Sequence, residues 1–544
     1  MVTNKEWEHQ KHWSLKQYPP RPEQERIINE IIDAIDMGFK NIIIEAGTGT
    51  GKSAIATTIA NYVGDSYILT MTKQLQNQYL DDFDYILAEI KGTSNYTCNL
   101  RPTDCDDCLQ LDQNRGRHSN CKYKQALEYA KTHPCVITNY DYLFYAGNYA
   151  EVFGERELIV LDESHNLEKK IMHLIGKTLN RQSIYKNYGF DIFYPVTKGA
   201  TLKSIETVDY WVNTLHKLTS MARSNKVVAV TRKNRELYAK DIKKFEYLIT
   251  QLEDEEAKFI IELPSKKDIL KDKVIKGKFE GMLKAEFKPL TINEYSEQLL
   301  KFGKVRLFMT GTLGNKDSFC KWIGIDPKET YYIFVKSPFA KEHRPIIKSY
   351  VGSMSGRKGK TENWRNMNAI VKIKDIIQKH KHEKGVIHTS SNQQAWFIKK
   401  SLKSKNVWVA YGNTREDTIR RFENSNKPIV LVGAGLKDGV DFKGDKCRYQ
   451  IMFKMPYPSL AGKQVNIRMH YDSRWYAYQT IMPLMQAYGR GIRDTDDYCV
   501  MYVLDSDFDR LLSQHRYLFN EYFLEAIRTP KVKRIPRPIK VGGK

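Results

Sequence analysis

Gly47, Gly49 and Gly51 alternate with Thr48 and Thr50, follow Ala46, and lead directly into Lys52 and Ser53. Glycines at this spacing allow backbone conformations that turn several N–H groups inward, onto phosphate oxygens. Lys52 is placed to reach the β- and γ-phosphates of a nucleoside triphosphate, and the Ser53 hydroxyl to take a Mg²⁺ ion. About 110 residues further on, two adjacent carboxylates, Asp162 and Glu163, are followed by Ser164 and His165. Asp162 is the expected Mg²⁺ partner, and Glu163 the group that orients and deprotonates an attacking water. Alone, such an acidic pair could simply open a helix; with a phosphate cradle upstream it points to phosphoryl transfer. Gln486, Arg490 and Arg493 lie in QAYGRGIR, and the i, i+3 spacing of the arginines puts both on one face of an expected helix. A cation pair there would meet the γ-phosphate and stabilise charge developing on it.

These residues need particular elements to hold them. NIIIEA before the cradle is a β-branched run and AIATTIANYV after it has helical composition, so the order is strand, loop, helix. ELIVL before Asp162 is another apolar run, expected as a buried parallel strand delivering the carboxylates at its C-terminal end. Cys98, Cys105, Cys108 and Cys121 are half of the chain's 8 cysteines and fall close enough together to converge on one metal centre. A [4Fe-4S] cluster and a Zn²⁺ ion use the same four thiolates, so spacing does not separate them, and His118 offers a mixed zinc site. Cys135, within CVITNY, is expected in a strand as a small buried apolar residue.

The 544 residues exceed a single core, and 87 Lys and Arg against 64 Asp and Glu leave a formal charge of +23. That excess favours a polyanionic partner, because neutralised phosphates release condensed counterions. No run is long and apolar enough to span a bilayer, and the first residues lack the apolar core of a secretory signal, so a cytoplasmic location, nucleoid-associated or in a host cell, is expected. Reduced thiols there make metal binding the first reading of clustered cysteines.

From Lys52 to Arg493 the motifs resemble those of superfamily 2 helicases, with DESH similar to the DEAH-type box. The cysteine-bearing stretch between the cradle and DESH narrows the resemblance to the XPD/DinG family of iron-sulfur helicases, over about residues 18 to 510. The resemblance implies that Tyr18, Arg21 and Gln24 form an adenine-reading Q motif and that Thr310, Gly311 and Thr312 couple the nucleotide site to a nucleic-acid groove. It also places Gly439 and Asp441 near an interdomain cleft, with Asp438 standing where relatives carry Glu. It favours an iron-sulfur cluster over zinc in a module that acts as a strand-separating wedge.

The fold expected is α/β, with two RecA-like parallel-sheet motor domains. Residues 1–335 form the first, interrupted by a cysteine-rich insertion at 92–135 and a mostly helical arch at 168–295; residues 336–528 form the second, and 529–544 a basic tail. Within the arch, Ile205, Val208, Val212, Leu215 and Leu218, and later Tyr238, Ile242, Phe245, Ile249 and Leu252, recur at helical spacing. A nearby basic run, which includes Lys243 and Lys244, could face DNA or solvent. The function expected is that of an ATP- and Mg²⁺-dependent helicase moving 5′ to 3′ on single-stranded DNA, acting as a monomer on tailed or forked duplexes, with RNA hybrids also admissible. The alternative from another class is a nucleic-acid-binding scaffold that ATP switches without strand separation.

Overall fold

The computed structural model describes residues 7–47, 49–98, 121–275, 278–279, 281–336, 339–355, 364–436, 442, 444–492 and 497–528. Thr48, Cys105, Cys108, His118, Asp438, Gly439, Asp441, Arg493 and the tail from 529 lie outside them.

The first sheet is parallel and runs in the order Thr330–Val335, Asn41–Ala46, Gly303–Thr310, Arg156–Leu161, Ser66–Thr70, Cys135–Asn139, Ala88–Glu89. Its strands are near-continuous apolar runs because helices cover both faces. Alternation along Asn41–Ala46 sends Ile42 and Ile44 to the side packed by Ile27, Ile31 and Ile55, and Ile43 to the side packed by Tyr140, Leu167 and Phe308. The strand Asn41–Ala46 is flanked by two strands from far along the chain, while the next strand in sequence, Ser66–Thr70, lies beyond Arg156–Leu161. The strand order therefore reverses at this point, and ligand crevices of α/β sheets open at the C-terminal edge of such a reversal. That edge receives the glycine turn, the Thr310–Thr312 turn and the Asp162–Glu163 pair side by side.

A second parallel sheet is ordered Val407–Val409, Val430–Ala434, Gly385–Thr389, Tyr449–Met452, Val500–Asp505, Ile346–Gly352, Ile527–Arg528. The helix Ser473–Tyr488 packs Trp475, Tyr478, Ile481 and Met485 into a core with Ile346, Met501 and Val503 of this sheet.

Between Glu168 and Tyr295 the chain leaves the first sheet. Two antiparallel helices, Val208–Val228 and Arg232–Glu253, bury Trp211, Leu215, Leu218, Phe245 and Leu248 in a common core. Val208 starts its helix and is 42% exposed, so the buried stripe is carried by Trp211 in its place. The helices rest on an antiparallel sheet of Lys177–Asn180, Lys284–Pro289 and Phe259–Glu262, which no clear sequence alternation announces. Lys244, expected to face DNA or solvent, is partly buried and donates to the Thr178 carbonyl at 2.5 Å.

Candidate active site

The glycine turn leaves the strand at Ala46 and enters the helix Lys52–Val63 through Gly51, whose φ of +79° lies in the left-handed region. Thr50 Oγ1 donates to the Gly47 carbonyl at 2.9 Å and tightens the turn. Lys52 Nζ donates to the carbonyls of Ala46 and Gly47 at 3.0 and 3.3 Å, so the ammonium lies over the loop it serves. From outside, Arg21 Nη2 donates to the Gly49 carbonyl at 2.9 Å and Gln24 Nε2 to the Thr50 carbonyl at 3.2 Å. Gln24 Oε1 accepts from the Arg21 N–H at 2.9 Å and so caps the helix Pro22–Asp36. One end of the Gln24 amide thus braces the turn and the other caps its own helix, while Tyr18 is 65% exposed and does not line the cavity described below.

Asp162 follows the last residue of its strand and is buried, accepting from Tyr79 Oη at 3.0 Å and from the Glu163 N–H at 2.8 Å. Burial, together with the neighbouring Asp162 carboxylate, holds the Tyr79 hydroxyl well above its ordinary range, so it remains a donor to that carboxylate. Burial, reinforced by the neighbouring Glu163, pushes the Asp162 carboxyl up to about 6, against the pull of Lys52. A divalent cation there would favour the carboxylate. Glu163 has φ +53°, an uncommon conformation for a residue with a side chain and one that concentrates at functional sites.

His165 joins these carboxylates to the second turn. Its Nδ1 lies 2.9 Å from Thr310 Oγ1 and 3.3 Å from Glu163 Oε2, and its Nε2 lies 2.8 Å from Asn166 Nδ2. The Thr310 hydroxyl donates to the Thr312 carbonyl at 2.8 Å, so Nδ1 of the imidazole donates and Nε2 accepts. Gly311 approaches closely: a Cβ there would stand 3.7 Å from the Ala46 carbonyl oxygen and 3.8 Å from Lys52 Nζ.

These groups line one cavity of about 680 Å³, a size that suits a nucleotide. Arg21, Gly47, Gly49, Gly51, Lys52, Ser53, Asp162, Glu163, His165, Gly311 and Thr312 belong to its first-domain wall; Gln486, Gly489 and Arg490 face them from the second domain. The helix expected to carry both arginines ends at Tyr488, before Arg490. Gly489 and Gly491 flank that arginine and end the regular helix, so Arg490 is presented by a loop and not by a helix face. Packing enforces the second glycine, since a Cβ at Gly491 would overlap the Cys499 sulfur.

Several residues of the site carry no motif. Glu45 is 1% exposed and accepts from Tyr332 Oη at 2.7 Å and, across the domain boundary, from Asn520 Nδ2 at 2.9 Å. Phe334, Phe339, Tyr488, Tyr522 and Phe523 add an aromatic wall. Tyr79 and Tyr140, which donates to the Asp162 carbonyl at 2.9 Å, fix the carboxylate strand from below. Neither Asn520 nor Tyr79 falls in a recognisable pattern, and only the folded arrangement brings them to the site.

Of the four clustered cysteines, Cys98 and Cys121 are described. Cys121 is buried at the N-terminus of the helix Lys122–Thr132, and Cys98 is partly exposed. The rings of Tyr96 and Tyr123 meet edge to face at 5.6 Å, which brings the chain before Cys98 and the chain after Cys121 together. Each of these cysteines is two residues from that contact, an arrangement that fits thiolates converging on one group. Cys135 is buried in its strand, 2% exposed. Among the described residues no three His, Cys, Asp or Glu side chains gather as a metal site, and no helix is long and apolar enough to cross a membrane.

Residues 17–190 match the family of the type III restriction enzyme res subunit, and residues 373–523 match the helicase C-terminal domain family. The chain is 21% identical to "Probable ATP-dependent helicase MJ0942" of Methanocaldococcus jannaschii over 649 aligned positions, covering 96% of this chain and 97% of the relative. Its fold is similar to that of a structure described as an XPD helicase, with a TM-score of 0.58, 17% identity, and 94% and 99% of the two chains covered. It is also similar to S. tokodaii Xpd4, with a TM-score of 0.54, 15% identity, and 94% and 100% covered.

Proposed function

We propose that the chain is an ATP-dependent helicase of the XPD/DinG type of superfamily 2, and that it moves 5′ to 3′ on single-stranded DNA and separates duplex ahead of it. The observation that supports this most directly is the shared cavity, in which the glycine turn and Lys52 of one motor domain face Gln486 and Arg490 of the other. The triphosphate would lie on the backbone N–H groups of Gly47–Ser53, with Lys52 exchanging its two loop carbonyls for phosphate oxygens. Glu163 would take the proton of the attacking water, with His165 fixing its carboxylate and reporting its position to the Thr310–Thr312 turn. Arg490 would stabilise the charge that develops on the transferred phosphoryl group. A Mg²⁺ ion held by Ser53 and Asp162 would neutralise charge on the β- and γ-phosphates.

The net charge of +23 suits a grip on the sugar-phosphate backbone, which carries no base code, so little sequence preference is expected. Cys98, Cys105, Cys108 and Cys121 would hold a [4Fe-4S] cluster, with zinc as the alternative, and either would fix a small module whose segment has too few apolar residues for its own core. Tyr96 and Tyr123 beside that module are aromatic surfaces on which bases could stack.

A strand-displacement assay on a 5′-tailed duplex, run beside a 3′-tailed control and with Glu163→Gln, tests the proposal. The wild type should displace the strand from the 5′-tailed substrate, whereas Glu163→Gln should bind ATP and displace nothing. ATP turnover without displacement from any tailed substrate would instead favour an ATP-switched scaffold.

A further inference from the structure

The helix Ser473–Tyr488 reaches the nucleotide cavity at its C-terminal end, and its other end is held by buried charge. Glu168 is the second residue of the helix Leu167–Ile175, which follows directly on the turn containing His165. Its carboxylate pairs with the guanidinium of Arg468, their side chains being 9% and 2% exposed. Both carboxylate oxygens accept from Trp475 Nε1 at 3.0 Å, and Oε2 accepts from Gln479 Nε2 at 3.0 Å. The Arg468 guanidinium lies 4.1 Å from the centre of the Trp475 ring. Asp472 caps the same helix through the N–H groups of Arg474 and Trp475, and accepts from Trp322 Nε1 of the first motor domain at 3.1 Å.

The inserted domain is tied to the same point. The Gln464 N–H donates to Glu262 Oε1 at 2.9 Å and its Nε2 to the Pro289 carbonyl at 2.9 Å, both in the antiparallel sheet. Arg468 Nη1 reaches the Leu290 carbonyl at 3.5 Å.

We infer that Glu168, Arg468 and Trp475 form a positioning node that sets the helix leading to Gln486 and Arg490 against the nucleotide, and that Gln464 links displacement of the inserted domain to that setting. The inference rests on the helicase reading above. Apolar contacts would hold two domains together at least as well as a buried ion pair. What the pair, indole and amide add is direction, since their hydrogen bonds are made in one relative orientation only. Leverage gives that orientation its consequence. From Trp475 to Tyr488 the helix spans about 20 Å, so a tilt of about 3° at the node moves the arginine end by about 1 Å. A shift of that size between catalytic group and substrate is worth about 10²-fold in rate.

Steady-state ATPase of the full chain, with and without single-stranded DNA, tests this alongside thermal unfolding. Glu168→Gln should lower kcat about tenfold or more while the KM for ATP stays within about threefold, the pattern of an interaction used in the transition state. Because Glu168→Gln leaves Arg468 buried without its charge partner, the pair Glu168→Gln with Arg468→Met serves as a second variant. The neutral pair should regain thermal stability and keep the kcat loss. Gln464→Ala should lower the ratio of DNA-stimulated to DNA-free turnover about threefold, a partial loss of coupling between sites. Wild-type kcat in either Glu168 variant overturns the node, and an unchanged ratio in Gln464→Ala overturns the link to the inserted domain. A wild-type chain that turns over no ATP overturns the helicase reading and this inference together, whereas normal wild-type turnover matched by the variants overturns only the inference.

Discussion

Replacing Gly51 by alanine separates the geometric demands of the glycine turn. Gly51 has φ +79° and ψ +38°, and an L-residue in that left-handed region costs about 1–2 kcal/mol. A Cβ at this position would overlap Gln24 Nε2 and come within 3.2 Å of Arg21 Nη2, so both braces of the loop must shift. Gln24 is only 5% exposed and donates to the Thr50 carbonyl, so displacing its amide loses a hydrogen bond and strands a buried donor, about 1–3 kcal/mol. Together the terms reach about 3 kcal/mol or more, and if the loop relaxes by abandoning its phosphate-ready shape, that energy must be supplied when ATP binds. Affinity for ATP should then fall about 10²-fold. Titration of Gly51→Ala with a fluorescent ATP analogue measures this, with thermal unfolding to confirm the fold. Adding Gln24→Ala to Gly51→Ala removes the overlap but not the backbone strain, and should restore about half of the lost binding energy, a coupling that a double-mutant cycle resolves. Binding by Gly51→Ala within threefold of wild type would refute the reasoning, as would a double variant no better than the single one.

Arg490→Ala should lower kcat for ATP about 10³-fold or more with a small change in ATP affinity, measured by single-turnover hydrolysis beside equilibrium binding. Raising salt from 50 to 200 mM should weaken single-stranded DNA binding by about 10³ to 10⁵ if roughly 6 to 10 phosphates are gripped, and a flat response in fluorescence anisotropy would count against a DNA groove. Buried His388, whose Nε2 pairs with Gln450 Oε1 at 2.8 Å, is driven by burial down to about 4. Its folded pKa lies below the unfolded value near 6.5, so its share of stability is present above the latter and is lost as pH falls from there toward 4, up to about 3 kcal/mol. Urea unfolding at pH 7.5 and 5 should show about 2 kcal/mol of that loss, and His388→Gln should flatten it. Anaerobically purified protein should carry iron near four atoms per chain and lose it in Cys98→Ser; stoichiometric zinc in place of iron would assign the alternative metal.

The two parallel sheets were legible because their strands are apolar runs placed next to residues with chemical work. NIIIEA and RELIVL could be placed from composition, and the cradle and carboxylates at their ends then followed from how α/β sheets present loops. Less of the inserted domain could be read. Its helices show a 3.6-residue period, but the short antiparallel strands Lys177–Asn180 and Phe259–Glu262 pair only through Lys284–Pro289, far apart in sequence and with no turn signal joining them. Arg490 lies beyond the helix expected to carry it for a local reason. Spacing i, i+3 implies one helix face only while the helix continues, and the glycines at 489 and 491 make its end the better expectation.

What stayed hidden is of one physical kind: polar contacts made between residues remote in sequence. Glu45 stands immediately before the most recognisable motif of the chain, yet a carboxylate in a buried strand makes sense only once Tyr332 and Asn520 are seen to satisfy it, the latter 475 residues away. Glu168 likewise reads as an ordinary first-turn acid after DESH until Arg468, Trp475 and Gln479 close around it, about 300 residues on. Motifs are visible because a ligand imposes residue type and spacing within one loop. Contacts between the two motor domains answer only to each other, so any complementary pair would serve, and nothing local marks the one chosen. The coupling of two halves is therefore the part of an ATP-driven machine that sequence reveals least, and it is where substitution outside the motifs should alter turnover without altering nucleotide affinity.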